Sequence, residues 1–571
     1  MFQDARDIPT GASLTFDVCI IGAGAAGITL ANELSSHNFR IVLLESGGAR
    51  RERHTQALYD GDVVNPHRHG PLASYRQRRF GGTTTVWGGR CAPFDDIDFE
   101  YRDYVPYSGW PIAKKDLESY YRRAHDYLDL GEYSYLIRQA CPPQQRALIP
   151  GLQDSDVIDH FLWRFSPPTN FASKFSRALQ QLSTVTVLLH ANCLKLVTNK
   201  EGTTVSFAEV ASLSFNNFRV NARLFVLATG GLEATRLLLV SNDTHRNGIG
   251  NEYDLVGRFY LSHIGGSVGP VRFTPRGGTI GDFYIKTRDD VYCRQTLAIR
   301  EQVQKKHGLL NLRATLTHPP PSDPDHGSSV CSAMYMLKRF LAGKVPPEYD
   351  RDLASRQFHH LLMHVRNVVV DSPALLSFAR MWVSKRLLSR RKLPSVTYRS
   401  STNTYFIRYD SEQSPNPTSR AFLSEKRDVF GTRRLAVDWK FSACDVESVV
   451  HSLALMNSYF VSSAVGSLEL HHETLSENIT RQINVGSHHL GLTRMASTPH
   501  AGVVDNTCRV FGVQNLFVAS SAVFSTSSFA NPTLTIVALA IRLGEHLKAL
   551  MSRNPIYCET AQESRSATLS K

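Results

Sequence analysis

Two polar positions near the C-terminal end have the residue types needed to handle a proton at an oxygen atom. One is a histidine, His488 or its neighbour His489, in "VGSHHLGLTRM"; the other is Asn531, in "FANPTLTIVALAIRLGEHL". An imidazole accepts a proton near neutral pH, and an amide holds an oxygen without titrating. Asn531 is followed by Pro532 and an apolar run at helical spacing, Leu534, Ile536, Val537, Leu539, Ala540 and Leu543. Asn favours the N-cap and Pro the first helical turn, so a helix is expected to start at Pro532. Its unpaired N–H groups and positive dipole end would point at whatever precedes it, and something negative is expected there.

The other end of the chain supplies a candidate. Phe16–Ile21 reads as a buried strand, Gly22-Ala-Gly24-Ala25-Ala26-Gly27 follows, and a helical run comes next. A second strand, Arg40–Leu44, ends in Glu45. This is a dinucleotide-binding fingerprint in its expected context. Gly22 makes the tight turn, Gly24 lets the backbone approach a pyrophosphate, Gly27 allows helix–strand packing, and Glu45 would bond a ribose hydroxyl. The alternative is an ordinary glycine-rich turn in an α/β domain. Two further stretches narrow the choice of nucleotide. Ala222–Leu239 reads as a buried strand, then "ATGG" from Ala228, then a helix; "RRFGGTTTVWGGRCAPF" carries Gly81, Gly82, Thr84 and Trp87 in a loop whose N–H groups can approach a flat or anionic ligand.

Together these segments resemble the glucose–methanol–choline (GMC) family of FAD oxidoreductases. The resemblance covers about residues 14–265 and 405–550, and rests on five motifs in the family's order. They are GAGAAG with Glu45, GGTTTVWGGR, "SGWPIAKKDLESYYRRA", "EQSPNPTSRAFLSEKRD" and the C-terminal "HHLGLTRM…ANPTLT". The chain looks most similar to the pyranose-oxidase and sugar-dehydrogenase branch. The resemblance implies FAD as cofactor. It implies an α/β fold (α+β overall): a Rossmann-like FAD domain of the glutathione-reductase type, with a substrate domain built on a mostly antiparallel sheet. The implied division is 1–265 and 481–551 for the FAD domain, 266–480 for the substrate domain, and 552–571 as a disordered tail.

The same resemblance implies roles. The pattern H-x-x-G-x-x-R-M falls on His488, Gly491, Arg494 and Met495, so His488 matches the base, while His489 keeps a one-residue alternative open. Asn531 matches the second catalytic position, and Pro532 and Thr533 open the helix facing the flavin edge. The backbone at Cys193 would meet the adenine, with Ala228 and Ser520 as further contacts. Some pyranose oxidases attach FAD to a histidine just before the tryptophan; Val86 stands there, so binding is expected to be non-covalent. Ala496, Ser520 and Ser525 depart from the family's frequent Gly, Asp and Pro. No metal is required or indicated.

The chain has 571 residues, 42% hydrophobic and 20% charged, enough for two cores. A net charge of +13 comes without a nucleic-acid recognition motif, so a solvated basic surface is the expectation and nucleic acid is not an expected partner. Nine cysteines without metal-type spacing suit a reducing compartment. With no export signal and no spanning apolar run, a cytoplasmic protein without transmembrane segments is expected.

Residues 1–14 read as a loose arm, 49–77 as a surface excursion, 184–198 as one strand and 404–440 as antiparallel strands roofing the flavin. Leu375–Leu393 reads as a helix with Arg380, Lys385, Arg386, Arg390, Arg391 and Lys392 on its polar face. It is expected to be a basic surface helix, with contact to anionic lipid or an acidic partner as the alternative. The leading function is oxidation of a CH–OH group, with a sugar, glycoside or cyclitol as substrate class. Rival readings are a lyase retaining FAD, a flavin monooxygenase, and an FAD-containing subunit of a dehydrogenase complex. The electron acceptor, whether oxygen, quinone or carrier protein, is not specified by these motifs.

Overall fold

The structure is a computed structural model. It describes residues 1–142, 148–152, 155–274, 280, 283–342, 357–396, 400, 403–485 and 488–553.

Among the described residues the first sheet has eight strands. In spatial order they are Phe2–Asp4, Val185–Leu189, Ile41–Leu44, Ser13–Ile21, Asn217–Leu227, Val205–Ala211 and Asn192–Thr198, with Leu516–Val518 also paired to Asn217–Leu227. The first five and Leu516–Val518 run parallel. In Ser13–Ile21 the last four residues are buried, as expected of a strand covered on both faces. Register brings the C-terminal ends level: Ile21 lies beside Leu44 and Leu227, and Leu227 beside Val518. The residues that follow, Gly22, Glu45, Ala228 and Ala519, therefore emerge at one edge. Ligands bind at that edge of open parallel sheets.

The second sheet is antiparallel throughout. Its order is Gly466–Leu468, Ile264–Phe273, Thr404–Ser411, Leu312–Thr317, Tyr292–Ile299, Ile158–Phe165 and Arg90–Cys91, with Tyr284–Lys286 on Tyr292–Ile299. Two of its strands thus come from the N-terminal side of residue 265. A small third sheet joins the hairpin Arg420–Arg427/Arg433–Asp438 to Asp62–Val63.

Helix Thr533–Arg553 lies against Ala25–Leu34 and Glu118–Leu128. A Cβ on Gly544 would come within 2.9 Å of the Glu33 side chain, and the Tyr121 hydroxyl meets Thr535 at 3.0 Å. The terminal helix is thereby held against the helix that opens the dinucleotide fingerprint.

Several local expectations change. Residues 2–4 form an edge strand on Val185–Leu189, not a loose arm. Within 49–77, Leu58, Tyr59, Leu72 and Arg76 are buried. The polar composition concealed this because the Arg76 guanidinium sits 4.0 Å over the Tyr59 ring and pairs with Glu233. The segment 184–198 is two strands broken at His190, whose φ of 56° turns the chain and whose ring lies between Asp4 and Glu52. The 404–440 strands divide between two sheets, because Pro415 and Pro417 interrupt the ladder after Ser411. The basic segment is helix Ser372–Trp382 continued by wider π turns over Val383–Leu388. The tail reading falls, from 554 onward, outside the described residues.

Candidate active site

The level strand ends frame a cavity. Of the predicted cofactor residues, Gly22, Gly24, Ala25, Ala26, Glu45, Gly82, Thr84, Trp87, Cys193, Ala228, Ser520 and Thr533 line it. Gly27, Gly81, Asn531 and Pro532 do not. A Cβ on Gly27 would lie 1.9 Å from the Gly22 carbonyl oxygen, so Gly27 is required by packing. A Cβ on Gly22 would lie 2.6 Å from the Ala228 oxygen, and its φ is 106°. A Cβ on Gly24 would meet no atom of the described residues beyond its chain neighbours within 4 Å. Packing among the described residues does not demand glycine there, so the requirement lies in what enters the cavity.

Glu45 accepts hydrogen bonds from the Ala23 and Gly47 N–H groups at 3.1 and 2.9 Å. Burial raises its carboxyl above the usual range, against those two bonds. The buried Thr229 hydroxyl, on the cavity wall, has no partner among the described residues. A glycine-walled edge, a helix N-terminus, an acidic residue at the second strand end and an unsatisfied hydroxyl fit the phosphates and hydroxyls of a dinucleotide. Ala23, Ser46, Arg78, Asn192, Thr229 and Ser521 also line the cavity, and sequence reasoning missed them. They adjoin the motifs, and adjacency was the signal available.

The second half of the site lies two residues before Thr533. Asn531 Nδ2 donates to His488 Nε2 at 3.2 Å. His488 Nδ1 meets His263 Nδ1 at 2.8 Å, with the rings edge to face at 4.7 Å. His263 Nε2 lies 3.2 Å from the Ser527 carbonyl oxygen. On the other side, Arg90 Nε donates to Asn531 Oδ1, while its terminal nitrogens pair with Asp410 at 2.8 and 3.3 Å. The guanidinium lies 4.4 Å over the Trp163 ring.

This chain of bonds assigns the protons. A carbonyl only accepts, so His263 Nε2 carries hydrogen and, in a neutral ring, its Nδ1 is the acceptor. His488 Nδ1 must then be the donor, which leaves a lone pair on His488 Nε2. Arg90 only donates, so the Asn531 oxygen faces it and the amide NH2 faces His488.

Electrostatics keep both rings neutral. Burial, then the neighbouring His263 and Arg90, pushes His488 well below the ordinary histidine value. Burial lowers His263 to about 4, against the opposing pull of Asp410. Burial alone would raise Asp410, but Arg90 and Arg408 outweigh it and hold the carboxyl below its usual range.

His489 is placed differently. Its ring stacks loosely on His69 and Tyr260 at 6.3 and 6.1 Å, and its carbonyl accepts from Ser521 Oγ at 2.8 Å. The His489 carbonyl oxygen also sits where a Gly231 Cβ would be, 2.4 Å away. Of the two adjacent histidines, His488 is the one brought to Asn531.

Asn531 does not cap the helix by its side chain, because that amide is engaged with Arg90 and His488. The helix begins at Thr533, and the Pro532 carbonyl accepts its first bond from Ile536 N–H at 2.8 Å. The stretch leading to Asn531 is tied from several sides. Ser528 Oγ donates to Asp98 at 2.7 Å, Thr526 to the Asp98 carbonyl, and the Trp110 indole to Thr526 at 2.8 Å. In the segment that follows His488, Gly491 has a φ of 79° and no room for a Cβ beside the Phe259 carbonyl. Met495 N–H bonds the Val523 carbonyl at 2.8 Å. His263, Arg90 and Asp410 were not among the predicted site residues. Arg90 ends the GGTTTVWGGR motif, which was the one signal pointing to it.

Residues 17–408 match the FAD dependent oxidoreductase model, and residues 415–540 the GMC oxidoreductase model. The fructose dehydrogenase large subunit of Gluconobacter japonicus is 25% identical, over 93% of this chain and 98% of that protein. The 2-methyl-1,2-propanediol dehydrogenase of Mycolicibacterium austroafricanum is 21% identical, over 94% and 96%. Among solved structures, a formate oxidase of Aspergillus oryzae RIB40 shares the fold with a TM-score of 0.51 at 14% identity. The match covers 95% of this chain and 100% of that one.

Proposed function

This chain belongs to the FAD-dependent oxidoreductases of GMC type, and we propose that within them it oxidises a CH–OH group of a sugar, cyclitol or small polyol with His488 as the base. The observation that carries this reading is the His488–Asn531 pair with its protons assigned. Two atoms 3.2 Å apart leave a point about 3 Å from both, where a hydroxyl oxygen can accept from the amide and donate to the imidazole.

Oxidation removes a hydride from the carbinol carbon and the proton from its hydroxyl, leaving a carbonyl. His488 Nε2 takes the proton, and Asn531 holds the oxygen so that the C–H bond keeps one orientation. Bound FAD supplies the two-electron acceptor. The glycine loop at Gly22–Gly27, Glu45, Thr229 and the start of the terminal helix at Thr533 would hold it. The free N–H groups at that helix start favour negative charge beside them. With Val86 before Trp87, the binding is read as non-covalent. The two relatives act, by their names, on a sugar and on a diol, which supports a hydroxylated small substrate. That one of them is a large subunit supports reading this chain as a subunit that passes its electrons to a partner.

An anaerobic titration with sugars, cyclitols and simple alcohols, following the flavin band, tests this. Bleaching by one class is the expected result, and readmitted air then separates oxidase from dehydrogenase. Absence of bleaching by every member, with flavin still reducible by dithionite, would count against the reading. Acid precipitation that leaves yellow colour in the pellet would overturn non-covalent binding.

A further inference from the structure

Half of the exposed large apolar side chains of the described chain lie between Leu337 and Leu388. They sit on three helices that contact one another, Ser329–Ala342, Gln357–Val370 and Ser372–Trp382 with its π extension. On the second helix, Leu362, Val365 and Val369 share one face, opposite the buried His364 and Asn367. On the third, Leu376, Val383 and Leu387 recur at i, i+7 and i+11 and are 68%, 44% and 63% exposed. Single exposed apolar residues need no explanation, but a concentration of this kind does.

The charge around them is one-sided. Residues 357–393 hold seven Lys and Arg and a single acid, Asp371. That carboxylate is already used by the N–H and hydroxyl of Ser329, at 3.0 and 2.9 Å. The base of the group is fixed to the body: Arg391 donates to the Asp129 and Phe165 carbonyls, and Leu393 is buried. Phe165 ends the strand that carries Trp163, on which the site's Arg90 stacks.

We propose that this helical group docks the protein on the surface of an anionic lipid bilayer. Apolar side chains at helical spacing together with an excess of cations over acids are the composition of interfacial helices. The helices are too short to span: among the described residues, none is long and apolar enough to cross a membrane. A second copy of this chain is disfavoured as the occupant, since it would bring the same unbalanced cations face to face.

Sedimentation of the holoprotein with vesicles of phosphatidylcholine alone, or of equal parts phosphatidylcholine and phosphatidylglycerol, tests the proposal. Binding to the anionic vesicles, weakened by salt, is expected. Arg380→Gln with Lys385→Gln should lower the partition coefficient roughly thirty-fold, from about 1 kcal/mol per cation near such a surface. Leu376→Gln with Val383→Gln and Leu387→Gln should abolish the salt-resistant remainder. Unchanged flavin absorbance and thermal midpoint show that these exposed substitutions leave the fold intact. The proposal is overturned if the parent protein ignores anionic vesicles, or if either variant binds as the parent does. It is equally overturned if, without lipid, the parent forms an oligomer that the leucine variant dissociates.

Discussion

His263 Nδ1 lies 2.8 Å from His488 Nδ1, and this contact determines which nitrogen of His488 carries a proton. Because His263 is itself oriented by the Ser527 carbonyl, the assignment passes from backbone to base through one ring. His263 is thus a positioning residue for the proposed base.

Replacing His263 by Phe should lower kcat/KM by roughly ten- to a hundred-fold while FAD stays bound, by analogy with the loss of a partner that orients a metal-bound histidine. A pH profile separates this from a general structural effect. With the ring oriented at random, the acidic limb of kcat/KM should move as well as the plateau. A variant with reduced FAD content and an unmoved profile would refute the role.

His488→Ala should reduce the rate of flavin reduction by about a hundred- to ten-thousand-fold, the usual contribution of a general base. Asn531→Ala should also slow reduction, and both variants should retain FAD. Loss of FAD from Asn531→Ala with unchanged reduction per flavin would contradict its assignment to the substrate oxygen.

Acid should weaken both activity and stability. His263, His488 and His489 are held below the ordinary value of 6.5, His263 at about 4, chiefly by burial. As pH falls below about 6.5 the unfolded chain takes up protons at these positions and the folded chain does not. Stability therefore declines from about 6.5 down through the folded values, and thermal midpoints across that interval check it. The folded base stays neutral until pH reaches its own lowered value, so the acidic limb of kcat/KM should lie below 6.5. Arg90 and Asp410 face the pair with opposite charge, so Asp410→Asn should move that limb lower still.

Two alanine substitutions in one loop should separate binding from folding. Gly24→Ala places a methyl group in the cavity with no atom of the described residues beyond its chain neighbours within 4 Å, so the fold should persist and FAD affinity should drop. Gly27→Ala drives a methyl to 1.9 Å from the Gly22 oxygen, so the protein should lose stability. Thermal unfolding and bound-flavin content, measured on both, distinguish the outcomes. Equal loss of stability would refute the contrast.

The dinucleotide strand–loop–helix was readable because its signals are local: an apolar strand, glycines at fixed spacing, an acid at the next strand end. The terminal helix was readable from its apolar spacing after Asn531-Pro532, and the pairing of Asn531 with a histidine was what the family resemblance implied. The motif spacing favoured His488 and kept His489 as an alternative, and the structure brings His488 to Asn531. Of the companions of the pair, only Arg90 carried a signal, at the end of its motif; Arg90 lies in strand Arg90–Cys91, Asp410 in Thr404–Ser411 and His263 just before Ile264–Phe273, and they meet only in the folded protein. Nor could burial be read from polarity: the 49–77 segment looks solvent-bound until Arg76 is seen stacked on Tyr59 and paired with Glu233. Local order is encoded in neighbouring residues, whereas the proton assignment at the site depends on contacts more than two hundred residues apart in sequence.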